Sequence, residues 1–523
     1  MEESSDIPEA PPGDSLPVTS IRELLSLAAI VALADLAIYR GGGYSGIAAV
    51  CAGTPLLLRC GSQHSRPTRD LIVLALLITA IAIRLVWCGS PMATVIAIAL
   101  VFMFAMAIAG RRPFLIELLA FAGEVQANAY NGLARYRRSA VQRLSGSAVS
   151  PKAATLLGVI LPAAAVSVFG LLFLFANPDL ATKFGEQIAR LMSRARDWVM
   201  QLSFGELLFC LAMAWLGIGL LRARPAAALE VEEEAIDRDA VPVSEALYHG
   251  FRNTLIAVTA LFAAYLVFEF QTLWFRKFPK GFYYAGYAHQ GALYLTVALG
   301  LATVILSAIF RGRMLFDARL PALRRWGILW AIENLLLATA VYNRLFIYID
   351  FNGMTRMRTV GLLGVSAVVA GCLLVMVKIV RNRNSTWLLR RQLWVLAFAF
   401  YLYATLPIDS WVIRYNVRKV LAGDLAPSVQ ITEHPTSTEG LLELSPLLSA
   451  SDATIQNGVR AYLALEWEHR KGRQPADWSH FQLADERFRA QLESLAGSLE
   501  AYTAPEQRRL DWEKFKTYAY QWY

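Results

Sequence analysis

The residues best equipped for chemistry sit between apolar runs, in VYNRLFIYIDFNGMTRMRTVG (341–361), which holds Asn343, Arg344, Tyr348, Asp350, Asn352, Thr355, Arg356 and Arg358. Arginine carries a permanent charge on a planar fork that meets a carboxylate or a phosphate through two parallel hydrogen bonds. Three arginines around one carboxylate therefore point to anion recognition or to ion pairing. A second group follows in LPIDSWVIRYNVRK (406–419), with Asp409, Arg414, Tyr415, Asn416 and Arg418. Glu333 precedes Arg344 by eleven residues, close to three helical turns, so one helix carries both on one stripe about 16 Å apart. At that distance they cannot pair, and each needs a partner on another helix or water. Arg344 either finds such a partner or snorkels to the lipid headgroups. Glu333 lies deeper, where it either hydrogen-bonds to a neighbouring helix as structural glue or marks a pathway. Asn352-Gly353 has the grammar of a tight turn, after which Thr355, Arg356 and Arg358 open a new helix.

The elements that must position these groups are membrane helices. The chain has 523 residues, 56% of them hydrophobic and 17% charged, with a mean hydropathy of +0.42. Soluble domains average about 45–50% apolar and about 25% charged. The excess is gathered into windows of about 20 apolar residues, long enough to cross a ~30 Å hydrocarbon core. Segments are expected at 21–39, 44–59, 70–88, 91–109, 154–176, 204–222, 253–274, 289–310, 326–348, 359–380 and 386–407. The second is the weakest, being short and containing Pro55. The fold class is therefore all-α: a polytopic transmembrane bundle of about eleven helices, ten if the second fails, followed by a small helical extramembrane domain.

Orientation follows from charge. Connections after the second, fourth, sixth, eighth and tenth segments hold most of the loop Lys and Arg, which places them in the cytoplasm. The N-terminus is then cytoplasmic and, after eleven crossings, the C-terminal domain lies outside. Under that assignment Arg356 and Arg358 sit on an external connection, against the general tendency. The net charge of +9 is explained by the same bias and not by nucleic-acid binding. Cys51, Cys60, Cys88, Cys210 and Cys372 lie in or beside apolar segments without CxxC spacing, so neither a disulfide framework nor a metal site is expected. No cofactor is expected either.

The organisation is read as an acidic, Pro-rich disordered tail (1–20), a first membrane half (21–222), a cytoplasmic linker with the acidic run LEVEEEAIDRD (223–252), a second membrane half (253–408) and a helical extracytoplasmic domain (409–523). Residues 113–145, with Arg135, Arg137, Arg138 and Arg143, read as an amphipathic helix, either on the anionic inner leaflet or simply solvated. Residues 178–202 read as a shorter external one. In the last domain, helices are expected near 451–470, 481–501 and 505–520. Leu483, Phe488, Leu492, Leu495 and Leu499 form one apolar face. The aromatic end DWEKFKTYAYQWY closes the domain's own core or docks at the headgroups. Asp35, Arg84 and Glu269 are further ionisable residues in or near the apolar segments, and Arg84 and Glu269 are expected at the interface.

Several motifs recur together in a known order: YAGYAHQGALYL, YNRLFIYIDFNGMTRMR, IRYNVRK, LLELSPLLSASDATI and DWSHFQLADERFRAQL. In these, the chain resembles bacterial membrane proteins grouped as domain of unknown function DUF4173 and the related DUF4153, over roughly residues 250 to 480. The resemblance implies a membrane-protein fold and no mechanism. It departs at His289-Gln290-Gly291-Ala292, where similar proteins tend to show Ala-Arg before Gly-Phe.

Three functions compete. The first is an inner-membrane binding, transport or signalling component whose external site gathers Glu333, Arg344, Tyr348, Asp350, Thr355, Arg356, Arg358, Asp409, Arg414 and Asn416, with the bilayer, an anionic lipid or an envelope ligand as partner. The second is a membrane enzyme acting on a lipid-linked or envelope substrate. It lacks a nucleophile, metal or phosphate-loop motif, and the first external connection, YRGGGYSG, carries no acidic residue. The third is a scaffold whose C-terminal domain binds an unidentified partner protein.

Overall fold

Serine, threonine and asparagine start many of the helices, each turning a side-chain oxygen onto a backbone N–H that the first turn would otherwise leave unpaired. Ser20 accepts from Glu23 N, Thr68 from Leu71 N, Ser90 from Ala93 N, Ser203 from Glu206 N, Thr355 from Arg358 N and Asn384 from Trp387 N. The structure, a computed structural model, describes residues 20–62, 68–144, 203–223, 244–271, 284–434, 436–472, 477–500, 502 and 504–522. Every regular element among them is helical.

The first group comprises α1 (Ile21–Ala34, continued by a π turn over Asp35–Tyr39), α2 (Tyr44–Gly61), α3 (Arg69–Cys88), α4 (Pro91–Ile108), α5 (Leu115–Leu144) and α6 (Phe204–Leu221). The second comprises α7 (Glu245–Glu269), α8 (Tyr284–Ile309), α9 (Leu320–Asn352) and α10 (Arg356–Arg381). Then α11 (Ser385–Thr405) packs on α10 and reaches across to α3, α4 and α5. Its Tyr401 hydroxyl donates to the Leu77 carbonyl at 3.1 Å, and Arg390 pairs with Glu117 at 2.5 Å. The last helix expected in the second half thus ties both groups together.

Among the described residues five helices, α3, α4, α6, α7 and α10, are long and apolar enough to cross a membrane. The pair α11 and α12 (Ile408–Leu421), bent by 64°, makes a sixth if counted as one span. Helix α9 has 33 residues, but Glu333, Asn334, Asn343 and Arg344 dilute its apolar run. Helices fall on ten of the expected segments. The segment at 154–176, the amphipathic stretch at 178–202, the acidic run at 229–239 and residues 1–19 of the tail lie outside the described residues.

The remaining helices share one apolar core and form the C-terminal part of the structure: α12, α13 (Ser428–Glu433), α14 (Thr438–Leu441), α15 (Ala453–Arg470), α16 (Leu483–Ser494), α17 (Ala496–Glu500) and α18 (Pro505–Tyr520). Its core joins Ile413, Val417 and Val420 of α12 to Leu447, Val459, Phe488, Leu492, Leu499 and Phe515. The expected apolar face of α16 and α17 is thus buried at Phe488, Leu492 and Leu499. Phe515 and Ala519 are fully buried and Trp512 and Tyr518 pack against the same core, while Tyr520 and Trp522 stay half exposed.

Candidate functional site

Helix α9 ends at Asn352 because Gly353 takes a left-handed φ of 82°, a conformation that favours glycine, and Thr355 then caps α10. Asn416 of α12 locks this turn. Its carboxamide accepts from Met354 N at 2.7 Å and donates to the Met354 carbonyl at 2.9 Å. Asn416 is fully buried, so both halves of its amide are spent on backbone that no sheet or helix would satisfy.

Around this turn the expected residues form separate pairs. Arg356 grips Asp409 with both arms, its Nε 2.5 Å from Oδ1, and Asp409 also accepts from the backbone N–H of Ser437 at 2.8 Å and from its hydroxyl. Burial pushes the Asp409 carboxyl up, but Arg356 and the two Ser437 donors outweigh it and hold the group below the usual carboxylate range. Arg414 binds Glu443 at 2.6 and 3.0 Å, with Ser410 donating to the same carboxylate at 2.7 Å; here too burial is overcome and the carboxyl is held low. Asp350 receives Lys419 at 2.5 Å. Arg358 donates to the Gly353 carbonyl and lies 3.8 Å above the Tyr348 ring.

Arg344 and Glu333 do not join this cluster. Arg344 points into the bundle, where its Nε and Nη2 donate to Glu269 of α7 at 2.7 and 2.6 Å. Tyr265 donates to the same carboxylate at 3.0 Å, and Glu269 is wholly buried. The expectation that Glu269 is interfacial is therefore corrected: it is the counter-ion that a buried guanidinium demands. Gly291 makes room for the pair, since a Cβ there would come within 2.1 Å of Arg344 Nη1. Glu333 is 8% exposed, and its Oε2 makes no hydrogen bond among the described residues. Beside it, Asn334 donates to the Trp330 carbonyl at 2.7 Å while its own Oδ1 lacks a partner there.

Arg84 lies near the end of α3 and has a carboxylate partner of its own. Its guanidinium takes both oxygens of Glu439, with Nη2 at 2.8 Å, and the Trp87 indole donates to that carboxylate at 3.0 Å. Glu439 is 1% exposed, so the end of α3 is clamped to α14. The neighbouring loop completes the joint: Gln482 donates to the Leu85 carbonyl at 2.9 Å and accepts from Gly89 N at 2.5 Å. The glycines of YRGGGYSG have a structural use. Gly43 N donates to the Ser479 hydroxyl at 3.2 Å, and a Cβ on Gly43 would lie 2.1 Å from the Ser479 carbonyl. That loop is a socket for the Trp478–His480 turn.

Sequence reasoning missed Glu439, Glu443, Ser437, Lys419, Ser479 and Gln482. Only the glycine run gave a local signal, because the other contacts join residues distant in sequence. Among the described residues no three His, Cys, Asp or Glu gather as a metal site would require.

A family described as domain of unknown function (DUF4153) matches residues 71–433. The chain belongs to this family. The DUF4153 match runs from the first turn of α3 through α13, including the α9–α10 turn, Asp409 and Asn416, while Glu439, Glu443 and the socket partner Ser479 lie beyond it. The match is to the second of the two related families that the motifs resemble, and it reaches further toward the N-terminus than those motifs do. No curated protein and no solved structure matches the chain.

Proposed function

We propose that this DUF4153 member is a multi-pass protein of the bacterial cytoplasmic membrane, with about eleven crossings and its C-terminal domain outside. In this reading it serves as a binding, transport or signalling component, and its site is the seam between that domain and the bundle. The observation that supports it is the way the seam is built. Three connections on one end of the bundle, at residues 40–43, 89–90 and 353–355, all engage the C-terminal domain through buried or half-buried polar contacts. A ligand held at the seam would thus lie next to both helix groups and could bias how they pack.

Sidedness tests the reading. A phosphatase active only outside the cytoplasm, fused after Tyr523, is expected to be active, and a cytoplasm-only fluorescent reporter at the same place is expected to stay dark. A dark phosphatase with a bright reporter would refute the external site.

A further inference from the structure

Among the described residues three arginines are buried: Arg344, Arg358 and Arg508. Arg344 has Glu269 and Arg508 has Glu468. Arg358, 6% exposed, has no carboxylate partner among the described residues; it rests on the Gly353 carbonyl and the Tyr348 ring. A buried charge without a counter-ion is costly, and a guanidinium accommodates a phosphate as readily as a carboxylate.

Arg358 also lines a cleft of about 410 Å³ between α8, α9 and α10. Its polar end is made by Thr355, Arg358, Gln430 and His434, where the C-terminal domain meets the bundle. Its walls are Leu293, Leu345 and Val365, with Gly361 and Gly364 as bare backbone. Among the described residues no carboxylate lines it. Some helix glycines are placed by close packing, as Gly327 is against Phe310 and Gly219 against the Val125 carbonyl, while others, such as Gly123 and Gly300, face open space. Gly364 has nothing within 4 Å of its missing Cβ, and Gly361 would meet only Leu345, at an ordinary 3.5 Å. At Gly361 and Gly364 the absent side chains leave the groove beside Arg358 open along the helix backbone. Leu293 and Met357, which line the cleft, are 57% and 76% exposed, leaving it open to the surrounding apolar phase.

We propose that this cleft binds an anionic phospholipid, with one acyl chain along Gly361 and Gly364 and the phosphate against Arg358 at the seam. The proposal names a ligand for the site proposed above and rests on that reading for the cleft lying within the bilayer.

The test is native mass spectrometry of the full chain in detergent, titrated with phosphatidylglycerol or with phosphatidylcholine. Phosphatidylglycerol is expected to bind at least about tenfold more tightly, and Arg358→Gln to erase that preference, the change expected for losing one charge-assisted contact. Gly364→Leu, whose Cβ meets nothing within 4 Å and whose longer side chain extends from the cleft wall, is expected to weaken both lipids, and it keeps the proposal testable should Arg358→Gln misfold. Equal affinities for the two lipids, or occupancy indifferent to Gly364→Leu, would overturn it. So would displacement of the lipid by inorganic phosphate, which would assign the site to a free anion. The adduct is read without reference to sidedness, so a cytoplasmic C-terminus would refute the external reading and leave this one standing.

Discussion

Arg344 and Glu269 meet where neither water nor headgroups can solvate them, so their worth lies in each other. Removing one partner of a buried pair costs about 3–5 kcal/mol, whereas replacing both by apolar residues of similar volume is often neutral. Glu269→Ala is therefore expected to lower thermal stability in detergent by that order, and Glu269→Leu with Arg344→Met to regain most of it; scanning fluorimetry of the three proteins checks this. The seam carboxylates behave differently because they titrate outside the bundle. Asp409 and Glu443 are both held below their ordinary values, so the folded state binds fewer protons than the unfolded one. Their contribution is present above the unfolded carboxylate values near pH 4 and is lost as pH falls through the folded ones. Intrinsic tryptophan fluorescence of the protein should be flat from pH 6 to 8 and show a transition below about pH 4 as Asp409 and Glu443 take up protons.

Elements meet at the seam through backbone as much as through charge. The α1–α2 connection holds Ser479 so closely that a side chain on Gly43 collides with main chain, which cannot swing aside. Gly43 itself has φ −91°, so substitution brings no backbone strain and the effect is purely steric. Gly43→Val is expected to make trypsin cleave the C-terminal domain several-fold faster while leaving the membrane fragments intact. Gly123→Ala, on a helix with nothing within 4 Å of the new methyl, should leave cleavage unchanged. This contrast separates a lost joint from general destabilisation.

The whole molecule has two helix groups bridged by α11 and covered at one end by a helical domain. Residues 40–43, 89–90, 353–355 and that domain must lie on one side of the membrane, whichever compartment it faces. Cysteines placed at Asp350 and Glu506, in a chain freed of its own five, are expected to react with a membrane-impermeant maleimide from the same side, and one at Arg383 from the other. Labelling of Asp350 and Glu506 from opposite sides would break the arrangement.

Membrane character, helical class and the apolar face of α16 were legible in the residues, because each depends on composition or on a period repeated over a few turns. The α9–α10 turn was legible too, since Asn352-Gly353 and Thr355 act within four positions. What each charge does was not. Arg344 read equally as a snorkelling residue until Glu269, 75 positions earlier, was placed against it. YRGGGYSG read as a loop without chemistry until Ser479 was placed in it. Local patterns set where polar groups fall along a helix, but the cost of burying a charge is settled by whichever distant residue folding brings within three ångströms, and only the tertiary structure decides that.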